Sequence, residues 1–317
     1  MFRAIRLEAG AVQRGGREVC GPGAPLFVDL TPEPEHLAFL RDRFGFHPLA
    51  LEDAASMDER TKYEEYPEAT FVVVHRLGPA PTDEGLQARE LHLFLTRDAL
   101  VTVHSAPLAE IDRLLDQFAD QFANGASPLA RGPDFVLYRI LDAITDAHFD
   151  VADHLTDEIE DLAGEVTGGT TEDPELLARI LQARRTHALL RRRLAPQREV
   201  LVALARPGEG RVRPETAPYF RDVLDHLLRV TEEIDTGRDL LGSVMDVHLS
   251  SVNNRLTLVT TRLTLIATIF LPLNFVAGWF GMNLEILPAP LAKVVVIAIT
   301  LALPPSLWWW FHRRRLL

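Results

Sequence analysis

The sequence predicts an α/β cytoplasmic domain joined to a long-helix stalk and two C-terminal transmembrane helices. Three observations predict it. Short β-branched runs alternate with helical patterns through the first ~100 residues. From Asp134 onward, apolar residues recur at helical spacing with few breakers. Charge then nearly disappears: residues 256–317 hold five bases (Arg262, Lys293, Arg313, Arg314, Arg315) and one acid, Glu285. The expected segments are therefore 1–133 (α/β), 134–255 (helical hairpin and stalk) and 256–317 (membrane domain).

In the first segment the strand candidates are Phe2–Leu7, Leu26–Leu30, Thr70–Leu77, Leu91–Leu95 and Leu100–Val103. Helix candidates are Glu35–Phe44 and Leu108–Ala123. Gly78–Gly85 (GPAPTDEG) reads as a turn or loop. In the second segment Leu137, Ile140, Leu141, Ile144, Val151, Leu155, Ile159 and Leu162 form an apolar stripe beside an acidic one. The acidic stripe is Asp142, Asp146, Asp150, Asp153, Asp157 and Glu160. Thr167–Pro174 breaks this helix, and the next, Glu175–Leu194, is basic. An acidic and a basic helix joined by a tight break should fold back as a hairpin. A solvated, salt-bridged hairpin and an acidic face that concentrates cations both fit. The third helix starts near Ala217–Pro218 and meets no strong breaker before Pro272. Run to Phe280, it would be roughly 95 Å long at 1.5 Å per residue, mechanically coupling the body to the membrane.

Leu263–Asn283 has 21 residues without a charge and Val294–Phe311 has 18. A bilayer core needs about 17–25 helical residues, so spans are expected at about 263–283 and 292–311. Arg262 and Arg313–Arg315 flank them, while the connecting loop has only Lys293. Positive charge then puts both chain ends in the cytoplasm, as a multi-pass protein of the inner (plasma) membrane. Trp308–Trp310 sit where an interfacial aromatic belt belongs.

Composition narrows the function. The chain has 317 residues, 33 Lys+Arg against 45 Asp+Glu and a net charge of −12, so residues 1–255 carry 28 bases and 44 acids, net −16. That argues against a nucleic-acid partner. The single Cys20 excludes an intramolecular disulfide framework and a multi-cysteine zinc site. No GxxxxGK[ST], HExxH, GxSxG or GxGxxG occurs, so no enzyme is indicated.

One stripe of the first span holds Thr257, Thr260, Leu263, Ala267, Leu271, Asn274 and Gly278. Asn274 is costly in hydrocarbon unless it faces protein or water. A helix-packing seam and a pore lining fit this pattern equally. Two spans cannot enclose a pore, so a channel requires several copies around an axis.

The span ends in Gly281-Met282-Asn283. At that place the chain resembles the CorA family of divalent-cation channels, whose signature is GMN. His47-Pro48-Leu49-Ala50-Leu51-Glu52-Asp53 is similar to the family's HPLxxED segment. Tyr219–His226 is similar to its stalk-start segment. Ser250–Asn253, Leu263–Leu273 and Arg313–Arg315 follow in family order.

The resemblance implies a homopentameric funnel embedded in membrane lipid, transporting Mg2+ and Co2+, with Asn283 ringing the outer mouth. Mg2+ dehydrates reluctantly, and a ring of neutral oxygens can hold it through its waters. The resemblance further implies a regulatory Mg2+ between protomers, on Asp53 and Asp222. Thr260 stands where methionine is common at the family's cytoplasmic gate. Glu285 is the one acid left in the outer loop. Entry needs no ATP, since a divalent ion gains about 4.6 kcal/mol across 100 mV. Rival readings are a proton-coupled Zn2+ or Ni2+ transporter on the same scaffold and a membrane-tethered sensor or scaffold.

Overall fold

Seven strands among the described residues form one mixed sheet. They are β1 (Phe2–Glu8), β2 (Ala11–Gly15), β3 (Leu26–Leu30), β4 (Lys62–Glu65), β5 (Thr70–Pro79), β6 (Leu86–Leu95) and β7 (Ala99–Val103). The computed structural model describes residues 1–8, 11–79, 86–120, 128–168, 174–206, 211–281 and 289–313. Sheet order is β2-β1-β3-β7-β6-β5-β4. Only the central β3–β7 pair is parallel; its neighbours are antiparallel.

Helices cover both faces, which explains why the central strands read as unbroken apolar runs. Side chains alternate between two cores. Phe27, Val72, Val74, Leu91 and Leu93 join the helical segment's core. Leu26, Val28, Phe71, Val73 and Phe94 face α1 (Pro34–Phe44) and α2 (Pro48–Ser56). The remaining helices are α3 (Ala109–Asp120), α4 (Pro133–Thr167), α5 (Pro174–Leu204), α6 (Ala217–Gly281) and α7 (Ala289–Arg313).

Local chemistry sets the helix ends. Proline opens α1, α2 and α4, where its missing N–H costs nothing. Helix α1 stops at Gly45, whose φ of 68° is the left-handed cap that glycine adopts freely. Asp134, buried in the first turn of α4, accepts from the Arg213 backbone N–H at 3.1 Å and from its Nε at 3.0 Å. That pairing fixes the approach to α6.

The expected hairpin of α4 and α5 is present, with α6 as its third member. Ile159, Leu162 and Val166 pack with Leu176, Ile180 and Ala183 and with Leu241 and Val244. Charge plays a smaller part than the stripes promised. Arg179 pairs with Glu165 of α4 at 2.8 Å, whereas Arg191 reaches Asp235 of α6 at 3.1 Å.

Several elements differ from expectation. Strand β5 continues through Gly78 and Pro79, because the ladder with β6 extends to Gly78↔Gln87 and Pro79↔Leu86. The remainder of the expected loop, 80–85, lies outside the described residues, as does the helix break at 169–173. Helix α3 is described to Asp120, and 121–127 also lie outside. Helix α5 runs ten residues past Leu194 and contains Pro196. Strands β2 and β4 and helix α2 had no strong sequence signal.

The chain divides into two compact units, Met1–Met245 and Asp246–Leu317. Helix α6 contributes residues to both. In the second unit, among the described residues, none of the apolar window of α6 is buried, whereas the core helix of a soluble protein is mostly covered. Within α7, Ile297–Phe311 is a shorter apolar stretch.

Candidate functional site

The stripe read from the sequence lies on one unbroken helix. Thr257, Thr260, Leu263, Ala267, Leu271, Asn274 and Gly278 are all exposed residues of α6. The partly covered residues trace a different line, through Thr261, Leu265, Thr268, Ile269, Leu273 and Val276. Ile266 and Phe270 are exposed as well, so the stripe is part of a broader open face.

Threonine chemistry on this helix is informative. Thr257 donates its hydroxyl hydrogen to the Asn253 carbonyl at 2.9 Å, and Thr264 donates to Thr260 at 2.8 Å. A hydroxyl whose proton is committed to its own helix keeps lone pairs free. Such an oxygen accepts from water, including water held by a cation. Gly281 is the last residue of α6. Met282, Asn283 and Glu285 lie outside the described residues.

The two expected regulatory acids sit in separate surroundings. Asp53 lies near the end of α2, which His47 caps by accepting from the Leu49 N–H through Nδ1 at 3.3 Å. The His47 ring stacks on Tyr66 with centroids 4.7 Å apart. The Asp53 main-chain carbonyl accepts from Met57 N–H at 3.2 Å and from the Ser56 hydroxyl at 2.9 Å. Its side chain accepts from Lys62 Nζ at 2.6 Å. Burial disfavours the Lys62 charge, but hydrogen bonds to Asp53 and Glu59 outweigh it and hold the ammonium above its ordinary range.

Asp222 is on the first turns of α6 and is 64% exposed. Its Oδ2 lies 3.9 Å from His226 Nε2, while His226 Nδ1 lies 3.8 Å from Asp146 Oδ1 of α4. Both separations exceed a hydrogen bond. Asp142, Asp146 and His226 each offer a ligand atom, and these atoms lie within 4.8 Å of one another. Two ligands opposite each other on Mg2+ would be roughly 4.2 Å apart. Such separations can hold a cation either directly or through its own water. Burial, and then the neighbouring Asp146 charge, push the Asp142 carboxyl above its usual range. Among the described residues, His226 Nδ1 is buried with no hydrogen-bond partner. Three carboxylates around one imidazole leave negative charge for a cation to neutralise.

The resemblance pointed to Asp222 but not to the other members of this cluster. Asp142 and Asp146 appeared only as members of an acidic stripe, and their i,i+4 spacing was the one available signal. Lys62 had no signal, because its partner is nine residues away across a turn.

Comparison with known proteins follows the same lines. Residues 24–313 match the family described as CorA-like Mg2+ transporter protein. The cobalt/magnesium transport protein CorA of Thermotoga maritima is 34% identical over 246 residues, covering 77% of this chain and 68% of that one. A putative metal ion transporter of Bacillus subtilis is 31% identical over 262 residues, covering 81% and 77%. The complete structure of the CorA magnesium transporter from Methanocaldococcus jannaschii superposes with a TM-score of 0.86 at 24% identity, covering 99% of this chain and 98% of that one.

Proposed function

This chain belongs to the CorA-like Mg2+ transporter family, and from that premise we propose that it conducts divalent cations, Mg2+ and with it Co2+, through a membrane. Relatives named for cobalt and magnesium transport support that cargo over proton-coupled Zn2+ or Ni2+.

One observation carries the reading. A helix whose apolar window finds no cover within its own chain bears a line of exposed small and polar residues leading to Gly281-Met282-Asn283. Hydrocarbon suits the apolar part, but Asn274 and the threonine oxygens need water or protein. Several copies around an axis supply both, and five is the number the family resemblance implies. Thr257, Thr260, Asn274 and Asn283 then accept hydrogens from the ion's water shell. Leu263 and Leu271 form apolar rings that can close by dewetting. Both chain ends lie in the cytoplasm.

Regulation follows from Asp53 of one protomer meeting Asp222 of the next. The carboxylates repel unless a cation lies between them. Cytoplasmic Mg2+ therefore stabilises the closed ring, and low Mg2+ releases it. Asp142, Asp146 and His226 extend the Asp222 side of that site.

Cation flux into liposomes tests the proposal. Asn283→Ala should lower Mg2+ and Co2+ entry at least ~10-fold, the loss expected when a selective ring loses its acceptors. A chain that uses its spans only as a tether carries no flux to lose. Entry that requires a pH gradient would instead favour the proton-coupled transporter.

A further inference from the structure

Lys62 occupies the space in front of the Asp53 carboxylate. It is the first residue of β4, held in register opposite Val73 of β5. Its Nζ is 2.6 Å from Asp53 Oδ2, 3.2 Å from Glu59 Oε2 and 3.7 Å from Glu64 Oε1. The ammonium also lies 5.6 Å from the centroid of the Phe71 ring. Lys62 and Asp53 are each about three-quarters covered, with 24% and 21% of their side chains exposed.

Resting on the reading of Asp53 as a regulatory ligand, we propose that the Lys62 ammonium is a tethered competitor for the cation there and sets the Mg2+ concentration at which the site fills. Lys62 is thus a positioning residue, acting through Asp53. The backbone of Asp53 is already fixed by Met57 and Ser56. What Lys62 controls is the carboxylate oxygen and its lone pairs. An ion that binds Asp53, directly or through its own water, has to displace the ammonium or tolerate its charge alongside. Lysine suits this role. Its head group is a compact point charge on a flexible stem, and it yields without a rigid fork of bonds to break. The local charge balance favours exchange. Three carboxylates face one ammonium, so displacement by a dication still leaves an attractive acidic setting. The Lys62 head group, still covalently attached, stays close enough to return when Mg2+ falls.

The experiment is limited proteolysis of the full-length protein in lipid nanodiscs, with MgCl2 titrated over a wide range. Lys62→Met should reach half-protection at a Mg2+ concentration roughly two- to fivefold lower than the parent, the scale of one partly exposed charge pair. Lys62→Gln, which can still donate to Asp53 but carries no charge, should shift the same way. Lys62→Arg, which keeps the charge and adds a rigid donor fork, should raise the midpoint above the parent. In Lys62→Met combined with Asp53→Ala the leftward shift should vanish. An unchanged or higher midpoint in both neutral variants overturns the competition. Asp53→Ala with Asp222→Ala separates the two ideas. If that double variant keeps Mg2+ protection, the regulatory reading itself fails. If it loses protection while the neutral Lys62 variants do not shift, only the role of Lys62 fails.

Discussion

His148 and Asp29 bury polarity in opposite ways. Asp29 is fully buried on β3, where Arg3 Nη2 donates at 2.5 Å, Thr102 Oγ1 at 2.6 Å and His104 Nε2 lies at 2.8 Å. Burial would raise its carboxyl, but these partners outweigh that and hold it below the usual carboxylate range. His148 is equally buried on α4 yet meets no carboxylate among the described residues; the Leu77 N–H donates to its Nε2 at 3.3 Å. Burial and then the Arg76 charge drop its imidazole from 6.5 to about 3. The folded state refuses a proton that the unfolded chain accepts below pH 6.5. Stability is therefore complete above that pH and declines as pH falls towards 3. At pH 5 the loss is about 2 kcal/mol from His148 alone. His75, lowered mainly by burial, works in the same direction. Urea midpoints at pH 7 and pH 5 measure the effect, and His148→Gln should flatten the difference. The pairing of residues was the least legible part of the sequence. Asp53 and Asp222 are proposed through the resemblance, whereas Lys62, Asp142 and Asp146 gain meaning only from their neighbours in space.

Helices α5 and α6 approach each other closely at Gly237. A Cβ there would stand 2.8 Å from His187 Nε2 and 3.1 Å from Ile159 Cδ1. The imidazole cannot swing aside freely, because it is buried and its Nδ1 bonds the Ala183 carbonyl at 2.9 Å. Alanine would gain roughly 1 kcal/mol in helix propensity and lose about 1–3 kcal/mol to overpacking. Gly237→Ala is expected to be net destabilising by about 1 kcal/mol, read as a lower urea midpoint, while Gly242→Ala, which meets nothing within 4 Å, is neutral or stabilising. Long elements were legible because many periods of one pattern accumulate; α4 and α6 match their expected starts within a residue. Helix α2, with nine residues, holds too few turns for a stripe. Strand β4 is Lys-Tyr-Glu-Glu, an edge strand with no apolar alternation to read. Gly78 and Pro79 suggested a turn, but the β5–β6 ladder overrides local preference there.

At the scale of the molecule, the sequence already separated an acidic body from an apolar tail; among the described residues α6 is long and apolar enough to cross a membrane, and α7 holds a shorter apolar stretch, Ile297–Phe311. The charge gap and the length rule made that separation readable. A subunit number is implied only by the resemblance, because one chain's pattern does not count its copies. The proposed ring makes a prediction at this scale. Asp53→Ala with Asp222→Ala should abolish Mg2+ protection of the first unit from protease, and protection that persists would remove both residues from the regulation. A further consequence comes from the border of the sheet. Its outermost strands, β2 and β4, are five and four residues long, and β4 carries Lys62, Glu64 and Glu65. Short, charged borders resist pairing with a neighbour's backbone. Strand-to-strand association has no natural stopping number and ends in fibrils. By discouraging it, this border works against open-ended growth of newly made copies.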